Sequence, residues 1–384
     1  MRLQAATIAL ICCAACSSQV IDIGPGAGAQ TDGGNTFDGG TISGSWAPVT
    51  SNLAGMSSEC GDMSFVSVRP DQDVVIAGIA LDGLYAVADG GTSFSPLGKG
   101  TGSATIVNRT SAIVYDPDHP QTFWESGTYN DKAVYRTDDN GATFTALGNA
   151  THSDLVSVDF TDPNRQTLLA GSHETTQALW LSQNGGASWT NIWSSLPAGI
   201  GFASAPHVIG PQTFLLGTYF NSNDQATGIY RTTNAGAQWT RVFDKPVRNR
   251  PLAASDGKLY WPIDTSTGAG VAGTLAVSND EGATWSLIGP AGAIDTNIGG
   301  PTLLELPDHR FAALSQHNVI ISSDHGVSWK TVTPNFPDST ITMSGLAYSQ
   351  FRKAFLVWHF GCSFSGDAVP ADAILATPFD YTAQ

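Results

Sequence analysis

Asp280-Glu281-Gly282-Ala283-Thr284-Trp285 decides the fold, because five other stretches of the chain repeat it. They are Asp89-Gly90-Gly91-Thr92-Ser93-Phe94, Asp139-Asn140-Gly141-Ala142-Thr143-Phe144, Asn184-Gly185-Gly186-Ala187-Ser188-Trp189, Asn234-Ala235-Gly236-Ala237-Gln238-Trp239 and Asp324-His325-Gly326-Val327-Ser328-Trp329. In five copies a Ser or Thr stands two residues earlier, at Thr137, Ser182, Thr232, Ser278 and Ser322. Each copy reads as a tight turn between strands. The Asx side chain can bond its own backbone. The third-position glycine supplies the positive φ that other residues reach only with strain. The closing aromatic returns to the apolar layer as the next strand begins. Successive third-position glycines lie 50, 45, 50, 46 and 44 residues apart. A period in the forties marks an array of identical supersecondary units.

Working outward from each turn, the units read as three short strands, the turn and a fourth strand. Unit one offers Phe65–Val68, Val74–Gly78 and Leu84–Val87; later units follow suit with Phe123-Trp124-Glu125, Leu168–Gly171, Phe214–Gly217, Leu259–Trp261 and Phe311–Leu314 as second strands. Their brevity and their β-branched and aromatic content favour strand over helix. After the sixth turn come three more strands, Ser344–Tyr348, Ala354–Trp358 and Ala373–Ala376. The missing fourth strand is supplied by Ser45–Val49. The 339 residues from Trp46 to Gln384, at a mean period of 47, make about 7.2 repeats.

This pattern resembles the Asp-box, or BNR repeat, of sialidases, sortilin-type receptors, xyloglucanases and photosystem II assembly propellers. The resemblance covers nearly all of the chain after Trp46. It implies an all-β fold, a single seven-bladed β-propeller of four-stranded blades closed by an N-terminal strand completing the last blade; six or eight blades are the alternatives. Closure leaves no long open sheet edge. In the family the box is a hairpin clasp away from the substrate face, so it speaks for fold and not for function.

Composition sets limits. There are 17 Lys+Arg against 33 Asp+Glu, a net charge of −16, with 13% charged residues, 42 Gly and 20 Pro. Such an acidic chain without a basic stripe argues against nucleic acid as a partner. Residues 1–16 read as an export signal: Arg2, then the apolar run Ala5–Ala15, too short to span a bilayer. Its end, Cys13-Ala14-Ala15-Cys16, resembles a bacterial lipobox and makes Cys16 the lipidated residue. Cys13 stands where the family usually has Leu, which leaves Cys12 and Cys13 open as sites of lipidation and ordinary secretion as an alternative. Residues 17–44, rich in Gly, Asp, Thr and Ser, form a flexible tether; 45–384 form the propeller. The expected location is the cell envelope, with membrane attachment through the lipid anchor only, as a monomer. Cys60 and Cys362 remain. In a closed ring the first and last blades are neighbours, so these two could weld the seam as a disulfide; two buried free thiols are the alternative.

Ligand pockets are expected where strand two leaves each blade and strand one begins. That face collects Asp62, Asp82, Arg109, Glu125, Tyr129, Asp131, His152, Asp154, His173, Glu174, Tyr219, Arg248, Arg250, Asp264, His317 and His359. His173, His317 and His359 fall at equivalent places in three blades and should converge on the axis. A uronate lyase needs a cation for the sugar carboxylate and a base for the neighbouring proton. Arg248 or Arg250 would supply the first, a histidine the second. A glycoside hydrolase needs two carboxylates, from Glu125, Glu174, Asp62 or Asp154. Trp124, Trp261 and Trp358, if exposed, would stack on sugars with Tyr129. The single ring is similar to rhamnose–glucuronate lyases. It lacks the Phe/Tyr-Arg-Ile-Pro motif of sialidases, and Arg69-Pro70 and Arg250-Pro251 do not supply it. No spacing resembles a zinc motif or a nucleophile elbow, so no metal or cofactor is expected. The chain therefore acts on or binds carbohydrate, as a lyase or exo-acting hydrolase, or else it is a non-catalytic propeller binding another surface protein.

Overall fold

A computed structural model describes residues 44–130, 132–172, 177–203, 205–219, 226–247, 249–265, 272–296, 300–339, 341–359 and 367–383. Seven antiparallel sheets form a seven-bladed β-propeller. The first strands of the blades are Met63–Val68, Arg109–Tyr115, Ser153–Val158, Ala205–Val208, Leu252–Ala253, Leu303–Glu305 and Gly345–Ser349. Those of most successive blades pack against one another, so they wall the central channel. In blade five a short extra strand, Ile294–Asp295, pairs with the third strand, Ala272–Ser278.

Blade seven closes the ring as expected. Ala47 and Pro48 pair with Ala376 and Leu375 on the outer edge of Ile374–Pro378. The Val49 amide donates to the Ile374 carbonyl (2.9 Å) and the Ile374 amide to the Thr50 hydroxyl (2.9 Å). Trp46 is buried, and its indole N–H donates to the Pro334 carbonyl of blade six (2.9 Å). A second seam runs beside it. Ser57 bridges to Ala368, and the Ser58 amide donates to the Asp367 carbonyl (2.7 Å). Cys60, half-buried on this seam, carries a free thiol. Cys362 and Cys16 lie outside the described residues.

Five of the six turns are built alike. The Ser or Thr hydroxyl accepts from the third-position glycine amide at 2.7–3.1 Å and donates to the Asx side chain at 2.7–3.0 Å. The Asx oxygen accepts from the fifth-position amide at 2.8–2.9 Å. The glycine is also where neighbouring blades touch. Gly186 has φ +89°, and a Cβ there would lie 2.6 Å from Leu147 of blade two. The copy at Asp89 departs from this pattern. Positive φ falls on Asp89 and Gly90, one position early, so Ala88 stands where the clasping Asx should be. The Gly91 amide donates to the Ala88 carbonyl (2.8 Å), as the Ala142 amide does to the Asp139 carbonyl (3.2 Å). A one-residue insertion restores Phe94 to the core.

Arginines stitch neighbouring blades at the clasp end. Arg165 (blade three) binds Asp116 (blade two) through Nε at 2.9 Å and a second nitrogen at 2.8 Å. Arg352 (blade seven) reaches Asp73 of blade one at 2.5 Å, and Arg310 (blade six) the Tyr381 carbonyl of blade seven at 3.0 Å.

Candidate binding face and central channel

At the end of the channel opposite the clasps, strand alternation buries several residues expected to face a ligand. Trp124 and Trp358 are fully buried, so the exposure that a stacking role requires is lacking. Trp124 packs between blades two and three. Trp358 lies edge-on to Phe65 of blade one (5.4 Å) and over Gly345, where a Cβ would come within 2.2 Å of its ring. Trp261 is buried likewise, its N–H on the Asn249 carbonyl (3.0 Å). Asp62 is buried and forms an ion pair with Arg109, joining blades one and two. Glu125 is sealed between its cross-strand partners Ile113 and Tyr135 and accepts from Asn108 Nδ2 (3.2 Å). Burial pushes its carboxyl up to about 8, against the hydrogen bonds of Asn108 and Thr110.

The expected convergence of histidines does not form among the described residues. His317 is exposed on the turn after strand two of blade six. His359 is 1% exposed, with Nε2 3.2 Å from the Asp372 carbonyl. His173, Glu174, Asp131 and Arg248 lie outside the described residues.

Half-buried rings do gather on this face. Tyr129, at φ +64°, meets His152 edge to face at 5.0 Å. Phe202 and Tyr219 stack at 5.7 Å and 26°. These four residues come from the strand-two exits of blades two and four and from the lead-ins of blades three and four.

Arg250 sits deeper, on an interruption of blade five's first strand. Val247 bridges to Ile263, Leu252 pairs with Tyr260, and Asn249 between them takes φ +58°. Such a bulge re-aims side chains. Arg250 is half-buried, and its charge acts on His207 of blade four's first strand. Burial and the Arg250 charge together push the His207 imidazole down to about 4, so it is neutral at physiological pH. His207 was not among the sequence candidates. The signal that could have found it is its place in Ala205–Val208, a first strand and therefore a channel wall. Among the described residues no group of three His, Cys, Asp or Glu could hold a metal ion, and no helix is long and apolar enough to cross a membrane.

No protein-family model matches the chain. A xyloglucanase from Paenibacillus sp. is 26% identical over 254 residues, covering 52% of this chain and only 24% of that enzyme. The fold is similar to that of the GH74 enzyme of Niastella koreensis (TM-score 0.52, 18% identity, 81% of this chain and 52% of that one). It is also similar to YCF48 bound to D1 peptide (TM-score 0.50, 12% identity, 87% and 96%).

Proposed function

We propose that this chain is an exported propeller that binds carbohydrate on the face opposite the clasps. The carrying observation is the pair of half-buried ring contacts, Tyr129–His152 and Phe202–Tyr219, presented by adjacent blades. Sugar faces stack on such amphipathic rings, whose polar edges stay wet. The partial likeness to a xyloglucanase supports the same ligand class. Binding without cleavage is the better reading. His359, Glu125 and Asp62 are buried, so none of these three reaches a substrate. A lyase or exo-hydrolase reading would rest on His173, His317, Glu174, Arg248 and Arg250, with the neutral His207 beside Arg250 as a further base. Export through residues 1–16, with Cys16 lipidated and 17–44 as a tether, places the ring in the cell envelope.

The test is a panel of neutral and acidic oligosaccharides, including xyloglucan fragments, read by calorimetry and by the ultraviolet band of unsaturated uronates. Binding without that band is expected, and Tyr219→Ala should weaken it about 3–10-fold. A panel in which no glycan binds removes the reading.

A further inference from the structure

Nine arginines are described, and eight of them are hydrogen-bonded or ion-paired: Arg69, Arg109, Arg136, Arg165, Arg231, Arg241, Arg310 and Arg352. Arg250 is the exception. It makes no hydrogen bond or ion pair with any described residue, in a chain whose net charge is −16. Burial lowers the hold of its guanidinium on the proton. Charged side chains that are even partly withdrawn from water usually find a partner.

Arg250 also borders a cavity of about 160 Å³ between the first strands of blades five and six. Asn249 and Thr302 line it with Arg250, and Pro251, Pro262 and Pro301 supply apolar walls. Thr302 is 1% exposed, and its hydroxyl has no hydrogen-bond partner. A cation and a buried hydroxyl thus lack partners at one small cavity on the channel wall. Polar groups placed so are normally satisfied, and an exception calls for an occupant.

We propose that this cavity is a carboxylate site, with the Arg250 guanidinium as anchor. A guanidinium fork matches a carboxylate in two parallel hydrogen bonds. The proline walls suit the carbon skeleton next to that group. His207, neutral beside Arg250, adds no charge that would compete for the anion. The carboxylate comes either from a uronic-acid sugar or from a free short-chain acid. The first source rests on the carbohydrate reading above, and the second does not.

Calorimetry and thermal melting with D-glucuronate, its uncharged amide and acetate separate these cases. Wild-type protein should bind glucuronate at least about tenfold more tightly than the amide, and only the acid should raise the melting temperature. Arg250→Gln should abolish that preference, and Arg250→Lys, which keeps the charge but loses the fork, should fall between. Acetate binding that depends on Arg250, with glucuronate silent, keeps the site and assigns it to free acids. Equal affinity for acid and amide, or no response to either acid, overturns the proposal, and this needs no variant to fold. Neutral glycans that still bind through Tyr219 would leave the proposed function standing; Arg250-dependent acetate binding without any glycan binding would do the reverse.

Discussion

Glu125 has no water to stabilise a charge, so the fold itself holds its proton. Its ordinary value of 4.5 rises to about 8, chiefly through burial. Between those pH values the folded chain carries a proton that the unfolded chain has lost. Stability from this group is therefore full below pH 4.5 and falls as pH rises towards 8, by at most roughly 1.4 kcal/mol per unit. Glu125→Gln, which keeps the shape, should stabilise by about 2–4 kcal/mol at pH 8 and by nothing at pH 4. Urea unfolding at both values checks this; an equal effect at both would mean that Glu125 is charged in the fold. The residue's chemistry was plain in the sequence, but its inaccessibility was not. Which face of a strand meets the next blade depends on packing, and Glu125 shares its face with Phe123, which packs on Phe144. Arg250 teaches the complementary lesson. Arg248-Asn249-Arg250 is visible as a pair of arginines around one Asn, whereas the lack of a partner is a property of everything around it.

Between residue and ring, the clasp and the blade-to-blade bridge do the assembling. The clasp was legible because it is local. Ser278, Asp280, Gly282 and Thr284 bond within seven residues, and Thr284's hydroxyl and amide hold the Asp280 carboxyl below its ordinary range. The insertion at Asp89-Gly90-Gly91 was not legible, since either register of that string presents an Asx followed by glycine. The bridges were hidden too, because their partners are up to 279 residues apart, as in Arg352 with Asp73. Arg165 is 4% exposed and Asp116 is 2% exposed. Arg165→Ala should therefore leave a buried carboxylate uncompensated and cost roughly 3–5 kcal/mol. Chemical denaturation measures it, and a loss under about 1 kcal/mol would place the pair among ordinary surface bridges.

At the scale of the whole molecule, the period and the count of strands specify the ring, and its closure rests on very few pairs. Trp46 brings one large side chain out of water, and the hydrogen bonds around Ala47–Thr50 add to it. Deleting residues 44–50 should cost on the order of 5 kcal/mol and expose the outer edge of Ile374–Pro378. Such an edge recruits other chains, so light scattering should show self-association together with a lower melting temperature. A truncated chain that stays monomeric and melts unchanged would show the remaining blades to be self-sufficient.

The outermost strand of the final blade is the first part of the folded region to be synthesised. Its partner, Ile374–Pro378, is the last strand of the ring along the chain. During biogenesis the opening segment must therefore wait, unpaired, while every intervening blade is made. The ring cannot close until Ile374–Pro378 has been made.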